Sequence, residues 1–171
     1  MTGKNGPQPD LPMTKGSPMI LTIKHIGLLA AIAALATAAA PAPSPQAAVA
    51  ARQAGYKKMG AAMKALNEQL KSDAPAKAAM IGAAQILAVT ARAQPGQFPA
   101  GSGPRPGLKT DALPAIWSNR AAFDAQMTKL VAETGKLLAV ANSGNVAALR
   151  VQAKATGAVC SGCHRQFRAD S

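Results

Sequence analysis

The sequence predicts an all-α fold: an antiparallel up-down-up-down four-helix bundle with a long loop between helices 2 and 3. The region after residue 38 is dominated by Ala, Leu, Met, Lys and Gln, which favour helices. No run in it alternates polar and apolar residues as a strand does. Four amphipathic stretches are joined by two short connections and one long one, which is typical of such a bundle.

The N-terminus reads as a signal peptide region over residues 1–38, and residues 39–171 form one domain. A basic Lys24 precedes an apolar run that ends in small residues, and cleavage after Ala38 fits this pattern. The segment upstream is polar and rich in Pro and Gly, so Met19 is the alternative start. The apolar run is shorter than the roughly 20 residues that span a bilayer. We therefore expect an exported protein without stable membrane insertion.

The first helix is predicted to begin at the dipeptide Ser44-Pro45 and to end near Lys71. Serine is a favoured N-cap, and proline is tolerated in the first helical turn. Larger side chains then recur at steps of three and four residues, which places them on one face of the helix. These residues are Val49, Arg52, Tyr56, Met59, Met63, Leu66 and Leu70.

The second helix is expected to be capped by Asp73 with Pro75 and to end before Pro95. Residues 95–112 contain four prolines and four glycines, which prevents long regular structure. Long loops in compact domains are often functional. This segment is therefore predicted to be a crossover loop that contributes to a site.

The third helix is predicted to open at Pro114 and to break over residues 142–145. The fourth helix then continues the three-and-four pattern from Val146 to Phe167. Because helices 1 and 4 are antiparallel, the start of the first lies at the same end of the bundle as the end of the fourth.

The fourth helix contains the motif Cys160-Ser161-Gly162-Cys163-His164. Both cysteines lie on its core face, and His164 is one turn beyond Cys160. This CxxCH pattern is the attachment motif of a c-type haem, in which the thiols are joined to the porphyrin and the imidazole binds iron. It predicts one covalently attached haem c per chain.

The sequence disfavours three other interpretations of this motif. A structural zinc site needs four ligands, but His25 lies in the signal peptide region, which leaves the domain with two cysteines and one histidine. A redox-active cysteine pair usually occurs in a βαβ setting. A disulfide across one helical turn would close a very small loop and add little stability.

Two residues of the first helix are candidates to face the haem. Arg52 on a core face needs an anionic partner, because a buried unpaired charge is costly, and a haem propionate is the expected one. Tyr56 is expected to cover the ring opposite His164 without binding iron. A low-spin carrier would instead use a second axial ligand, and Met59 and Met63 lie on the same helical face.

The chain is strongly basic, with a formal net charge of +12. Such a charge suits nucleic acid, an anionic partner or a solvated basic surface. The Lys and Arg residues are dispersed along the sequence, and only 3% of residues are aromatic, so few rings are available to stack on bases. We therefore expect no nucleic-acid partner.

Four segments together resemble the cytochrome c′ family. They are RQAGYKKMG at 52–60, FPAGS at 98–102, DALPAIW at 111–117 and CSGCHRQFR at 160–168. The resemblance covers nearly the whole domain, in order and spacing. It implies a periplasmic haem protein, commonly a homodimer through its first two helices, with five-coordinate iron that binds nitric oxide and carbon monoxide and discriminates against oxygen.

The resemblance also implies roles for individual residues. Cys160 and Cys163 match the thioether cysteines, and His164 matches the ligand on the proximal side of the iron. Tyr56 matches the residue on the opposite, distal side. The remaining matches are Arg52 and Gln53 near the propionates, Asp111 in a loop near the haem edge, and Arg168 on the proximal side.

Two positions depart from the family pattern. Phe167 stands where tyrosine is usual, and Arg165 adds a charge beside the histidine. The leading hypothesis is a gas-binding haem protein that also transfers electrons to or from an unknown redox partner. The alternative is a six-coordinate low-spin carrier with a methionine ligand. An enzyme such as a peroxidase is not expected, because the sequence offers no acid–base pair for the distal side.

Overall fold

A computed structural model describes residues 43–170 of the chain, and the predicted bundle is confirmed there. Its α-helices are α1 (Pro45–Lys71), α2 (Lys77–Ala93), α3 (Ala115–Ser118), α4 (Arg120–Ser143) and α5 (Val146–Phe167). The bundle consists of α1, α2, α4 and α5, and α3 is a single turn before α4. No strand occurs within the described residues. The predicted signal peptide region and its boundary at residue 39 lie outside them.

The helix ends follow from local capping chemistry. The Ser44 hydroxyl accepts a hydrogen bond from the Ala47 amide at 3.2 Å, and Pro45 occupies the first turn of α1, as the sequence predicted. Asn145 caps α5 in the same way. Gly144 ends α4 with a φ of 76°, a left-handed conformation that glycine adopts without strain.

Two boundaries differ from the sequence prediction. Asp73 does not cap α2, which begins only at Lys77; instead, the Gln69 side chain accepts from the Ala76 amide at 2.9 Å. The expected third helix is interrupted at Asn119, whose φ of −126° and ψ of 58° are not helical. The loop between α2 and α3 also contains one 3₁₀ turn, Pro95–Gln97.

The core is formed by the inner faces of the four long helices. Helix α2 packs between α1 and α4, and α4 packs against α5. Leu66, Leu87, Leu137 and Leu149 are each at most 2% exposed. Burying one such side chain contributes about 2 kcal/mol. Aliphatic burial therefore stabilises the bundle.

Helices α1 and α5, by contrast, approach each other closely at few positions. At one end they are joined by Arg150, whose guanidinium donates to the Leu70 carbonyl at 2.6 and 3.0 Å. Toward the other end both helices line the cavity described below.

None of the helices in residues 43–170 is long and apolar enough to span a bilayer.

Candidate haem site

A cavity of about 640 Å³ opens between α1, α4, α5 and the loop after α2. Most of its wall is apolar. It is lined on α1 by Tyr56, Met59 and Met63, on α4 by Met127 and Leu130, and on α5 by Cys160, Cys163, His164 and Phe167. Its size lies within the usual range for a cofactor pocket. The fold thus brings the CxxCH motif and Tyr56 to one space, as the sequence predicted.

Helix α5 supplies the candidate attachment groups. Cys160 and Cys163 are half-buried and carry free thiols, and burial raises the pKa of each. His164 lies at the open side of the cavity. Burial, and then the charge of Arg168, lower the pKa of its imidazole. Both effects favour the neutral imidazole, which is the form that binds a metal.

Helix α1 places Tyr56 on the opposite wall. The phenol is half-buried and its hydroxyl donates to the Met127 Sδ atom on α4 at 4.0 Å, a weak contact. Burial raises the pKa of Tyr56, and the nearby Cys163 raises it further. Tyr56 is therefore a neutral phenol that faces the two cysteines across the cavity.

Arg52 is only 2% exposed and is held by the loop after α2. Its guanidinium donates to the Ser102 hydroxyl at 3.0 Å, the Ser102 carbonyl at 2.7 Å and the Thr110 hydroxyl at 2.7 Å. It also lies 4.9 Å from the centre of the Phe98 ring. The residue predicted to meet a propionate thus also anchors the crossover loop.

All of these hydrogen-bond partners are neutral oxygens, so the charge of Arg52 has no acidic partner among them. Burial lowers the pKa of the guanidinium, although its ordinary value is so high that it stays charged. A positive charge at the wall of an apolar cavity is well placed to balance an anion.

Three further sequence-predicted residues lie at the rim of the cavity, and all are exposed. The Gln53 amide donates to the Lys109 carbonyl at 3.1 Å. Asp111 forms an ion pair with Arg168 at 3.9 Å. The Ala169 amide donates to the Asp111 carbonyl at 2.7 Å, and the Leu113 amide donates to the Phe167 carbonyl at 3.0 Å. The loop is thereby attached to the end of α5.

The structure also identifies residues that the sequence reasoning missed. Ser102 and Thr110 hold Arg52, and Lys57 lines the cavity from α1. Ser102 ends the FPAGS segment, so a polar residue closing that motif was the available signal. No sequence signal marked Thr110 or Lys57, because their positions relative to the cavity depend on how the loop and α5 pack.

The surroundings of Phe167 explain why phenylalanine fits at a position where the family usually has tyrosine. It is 4% exposed, and its ring meets the Phe123 ring edge-on with the centres 5.4 Å apart. Phe123 makes a similar contact with Phe98 at 4.7 Å. A tyrosine hydroxyl placed among these rings would need a hydrogen-bond partner.

These residues fit a covalently held haem. The cavity is large and apolar, two thiols and an imidazole converge on it from α5, and Arg52 has no acidic hydrogen-bond partner. The zinc alternative gains no support: within residues 43–170 no three His, Cys, Asp or Glu side chains are grouped to hold a metal ion.

Comparison with known proteins gives the same result. A family profile described as "Cytochrome C'" matches residues 47–168. Cytochrome c′ of Rhodospirillum rubrum is 32% identical over 150 residues, covering 86% of this chain and all of the relative. Cytochrome c′ of Pararhodospirillum photometricum is 32% identical over 126 residues, covering 73% of this chain and 98% of the relative. Cytochrome c-556 of Agrobacterium fabrum is 34% identical over 118 residues, covering 68% of this chain and 77% of the relative.

Solved structures agree with the sequence comparison. The crystal structure of cytochrome c′ from Thermochromatium tepidum superposes with a TM-score of 0.72 at 26% identity, covering 76% of this chain and all of that one. A second cytochrome c′, with the same score, identity and coverage, is described as having ligand-controlled dimer dissociation. A nitric oxide complex of a variant cytochrome c′ from Alcaligenes xylosoxidans gives 0.67 at 26% identity, covering 74% of this chain and 97% of that one.

The fold and the shared motif define the class as a haem protein built on a four-helix bundle. This chain belongs to the cytochrome c′ family, whose members bind haem c.

Proposed function

We propose that this protein binds one covalent haem c per chain with five-coordinate iron and takes up nitric oxide and carbon monoxide on the Tyr56 side. One observation carries the proposal. A neutral phenol faces Cys160 and Cys163 across an apolar cavity, with His164 on the opposite helix. The haem supplies the iron that binds the gas and changes oxidation state.

Each residue of the site has a distinct task. Cys160 and Cys163 hold the ring against α5, and neutral His164 binds iron from that side. Arg52 balances a propionate from α1. Tyr56 covers the distal side, and its high pKa keeps it from becoming a phenolate ligand.

The distal wall also explains the expected ligand preference. Strong hydrogen-bond donors on the distal side of a haem stabilise bound oxygen. The polarity of the distal side therefore affects which gas binds to the iron. Here the apolar lining beside Tyr56 includes Met59, Met63 and Leu130, and the Tyr56 hydroxyl is directed to Met127. Nitric oxide and carbon monoxide need less polar stabilisation and are therefore favoured.

A homodimer formed through α1 and α2 follows from family membership and has local support. Among exposed large apolar residues in the described part of the chain, Ile86 is 38% and Val89 is 54% exposed, and both lie on α2. Displacing Tyr56 would strain α1. Ligand binding is therefore proposed to weaken the dimer, as in the relative with ligand-controlled dimer dissociation.

The proposed location is the periplasm. A signal peptide interpretation of residues 1–38 and a covalent haem that is attached after export support it. The electron-transfer role and its partner belong to the same proposal.

Optical spectra of the exported holoprotein test the proposed function. We expect broad high-spin ferric bands, and a ferrous spectrum that shifts when carbon monoxide is added. The alternative, a low-spin carrier, would instead show low-spin ferric bands with a methionine charge-transfer feature and no response to carbon monoxide. Met59 and Met63 line the same cavity, so this result would identify them as the ligands to test.

A further inference from the structure

The surface between α1 and α5 is strongly basic. On α1, Lys57, Lys64 and Lys71 are spaced seven residues apart, which places them along one face. On α5, Arg150, Lys154 and Arg165 are spaced four and eleven residues apart, which again gives one face. All six residues are exposed. In the sequence they are dispersed; the fold brings them together.

Two observations show that α1 and α5 adjoin on this side. Arg150 donates to the Leu70 carbonyl, next to Lys71. At the other end, Lys57 from α1 and His164 from α5 line the same cavity, and Arg165 follows His164 directly. Lys57 and Arg165 therefore lie beside the haem site, and the other four cations continue these two faces along α1 and α5. We call this surface the basic groove.

Little negative charge lies on the two helices of the basic groove, and the acids near its His164 end are Asp111, which pairs with Arg168, and Asp170. Helix α5 contains no Asp or Glu, and α1, also described in full, contains only Glu68, which pairs with Lys64 at 3.9 Å. Helix α4 differs, because Asp124 and Glu133 pair there with Arg120 and Lys136. Helices α1 and α5 therefore carry a clear excess of positive charge along this surface.

We propose that the basic groove is the docking surface for an electron-transfer protein with an acidic face. This inference rests on the proposed haem site. The partner's reduced centre gives one electron to the ferric iron, so the partner is oxidised by one electron and no covalent bond changes. Opposite charges steer such encounters and fix their orientation.

Other anionic partners fit the surface less well. Binding of single-stranded nucleic acid uses exposed aromatic rings that stack on bases. The described aromatic residues are buried or half-buried. Attachment to an anionic bilayer usually adds large apolar side chains to the basic ones. Among those described as exposed, only Val151 lies on α1 or α5.

The test compares two lysine reversals in the ferric holoprotein, Lys154→Glu in the basic groove and Lys129→Glu on α4. Both lysines are exposed and lie within helices, and each change alters the net charge equally. A plant-type [2Fe–2S] ferredoxin, a small acidic one-electron protein, serves as the probe. Its binding is mapped by amide chemical shifts at low salt, and its rate of haem reduction is measured in parallel.

We expect shifts concentrated on α1 and α5, and a reduction rate that falls about threefold or more in Lys154→Glu while Lys129→Glu stays near wild type. Equal effects of both variants, or shifts spread over all faces, would overturn the proposal. So would binding to phosphatidylserine vesicles without any ferredoxin-induced shifts. Each variant is first shown to bind carbon monoxide, so that failure of the docking proposal leaves the proposed function standing.

Discussion

At the scale of single residues, a weak contact joins Tyr56 on α1 to Met127 on α4 across the cavity. Met127 is 2% exposed, and its thioether accepts from the phenol, so this contact is expected to favour the position of Tyr56 over the cavity. Met127→Leu preserves volume but removes the acceptor. We expect carbon monoxide to bind the ferrous protein severalfold faster, as measured by flash photolysis.

Met80→Leu is the matched control. Met80 is 1% exposed and does not line the cavity, so its replacement should leave the binding rate unchanged. A Met127→Leu rate equal to that of Met80→Leu would show that the sulfur does not position Tyr56.

Arg52 permits a second prediction at this scale. Arg52→Gln removes several hydrogen bonds to the loop, and hydrogen bonds to a charged group contribute about 1.5–3 kcal/mol each. We expect the free energy of unfolding to fall by about 3 kcal/mol in urea titrations of the holoprotein. Arg92→Gln, at an exposed position of α2, should change it by less than about 0.5 kcal/mol. A similar small effect for Arg52→Gln would contradict the anchoring role.

The residue scale also shows what sequence reasoning could reach. Cys160, Cys163 and His164 form a local motif whose chemistry determines its spacing, so they were predictable from it. The partners of Arg52 were not, because Ser102 and Thr110 are far away in the chain and reach it only through the fold of a loop rich in Pro and Gly. A core face containing Arg52 signalled that a partner exists but did not identify it.

At the scale of elements, α1 and the end of α2 are in close contact at Gly55. A Cβ atom on Gly55 would clash with the buried Gln94 side chain. Gly55→Ala should therefore destabilise the protein, although alanine in an open helix position is worth up to about 1 kcal/mol more than glycine. Thermal unfolding would measure the change.

Gly135 on α4 is the matched control, because a Cβ atom there meets nothing within 4 Å. Gly135→Ala should raise the stability by about 0.5–1 kcal/mol. Opposite signs for the two variants would support the packing of α1 on Gln94. Stabilisation by both would refute it.

Helix boundaries were predictable where a local residue determines them, as at Ser44, whose side chain caps α1, and at Gly144, whose left-handed backbone ends α4. The start of α2 was not, because no side chain caps its first turn, and the Gln69 side chain of the preceding helix accepts from the Ala76 amide just before it. The break at Asn119 was not predicted either, because no proline or glycine stands at residues 118–120. The non-helical backbone of Asn119 therefore depends on the tertiary structure.

At the scale of the whole molecule, the basic groove and the proposed dimer share α1, but the groove adds α5 and the dimer adds α2. The groove lies between α1 and α5, whereas Ile86 and Val89 are exposed on α2. Ligand uptake is expected to affect the dimer through α1, which contributes Tyr56 to the cavity. Sedimentation of the ferrous protein should show a smaller average mass once carbon monoxide is bound. Equal sedimentation of the two forms would contradict this coupling.

The central claim is that iron bound by His164 has no protein ligand on the Tyr56 side. X-ray absorption at the iron edge of the ferrous holoprotein tests it directly, because sulfur and nitrogen ligands scatter differently. We predict that only nitrogen atoms bind the iron, four from the porphyrin and one from His164. A sulfur ligand, from Met59, Met63 or Met127, would contradict the account.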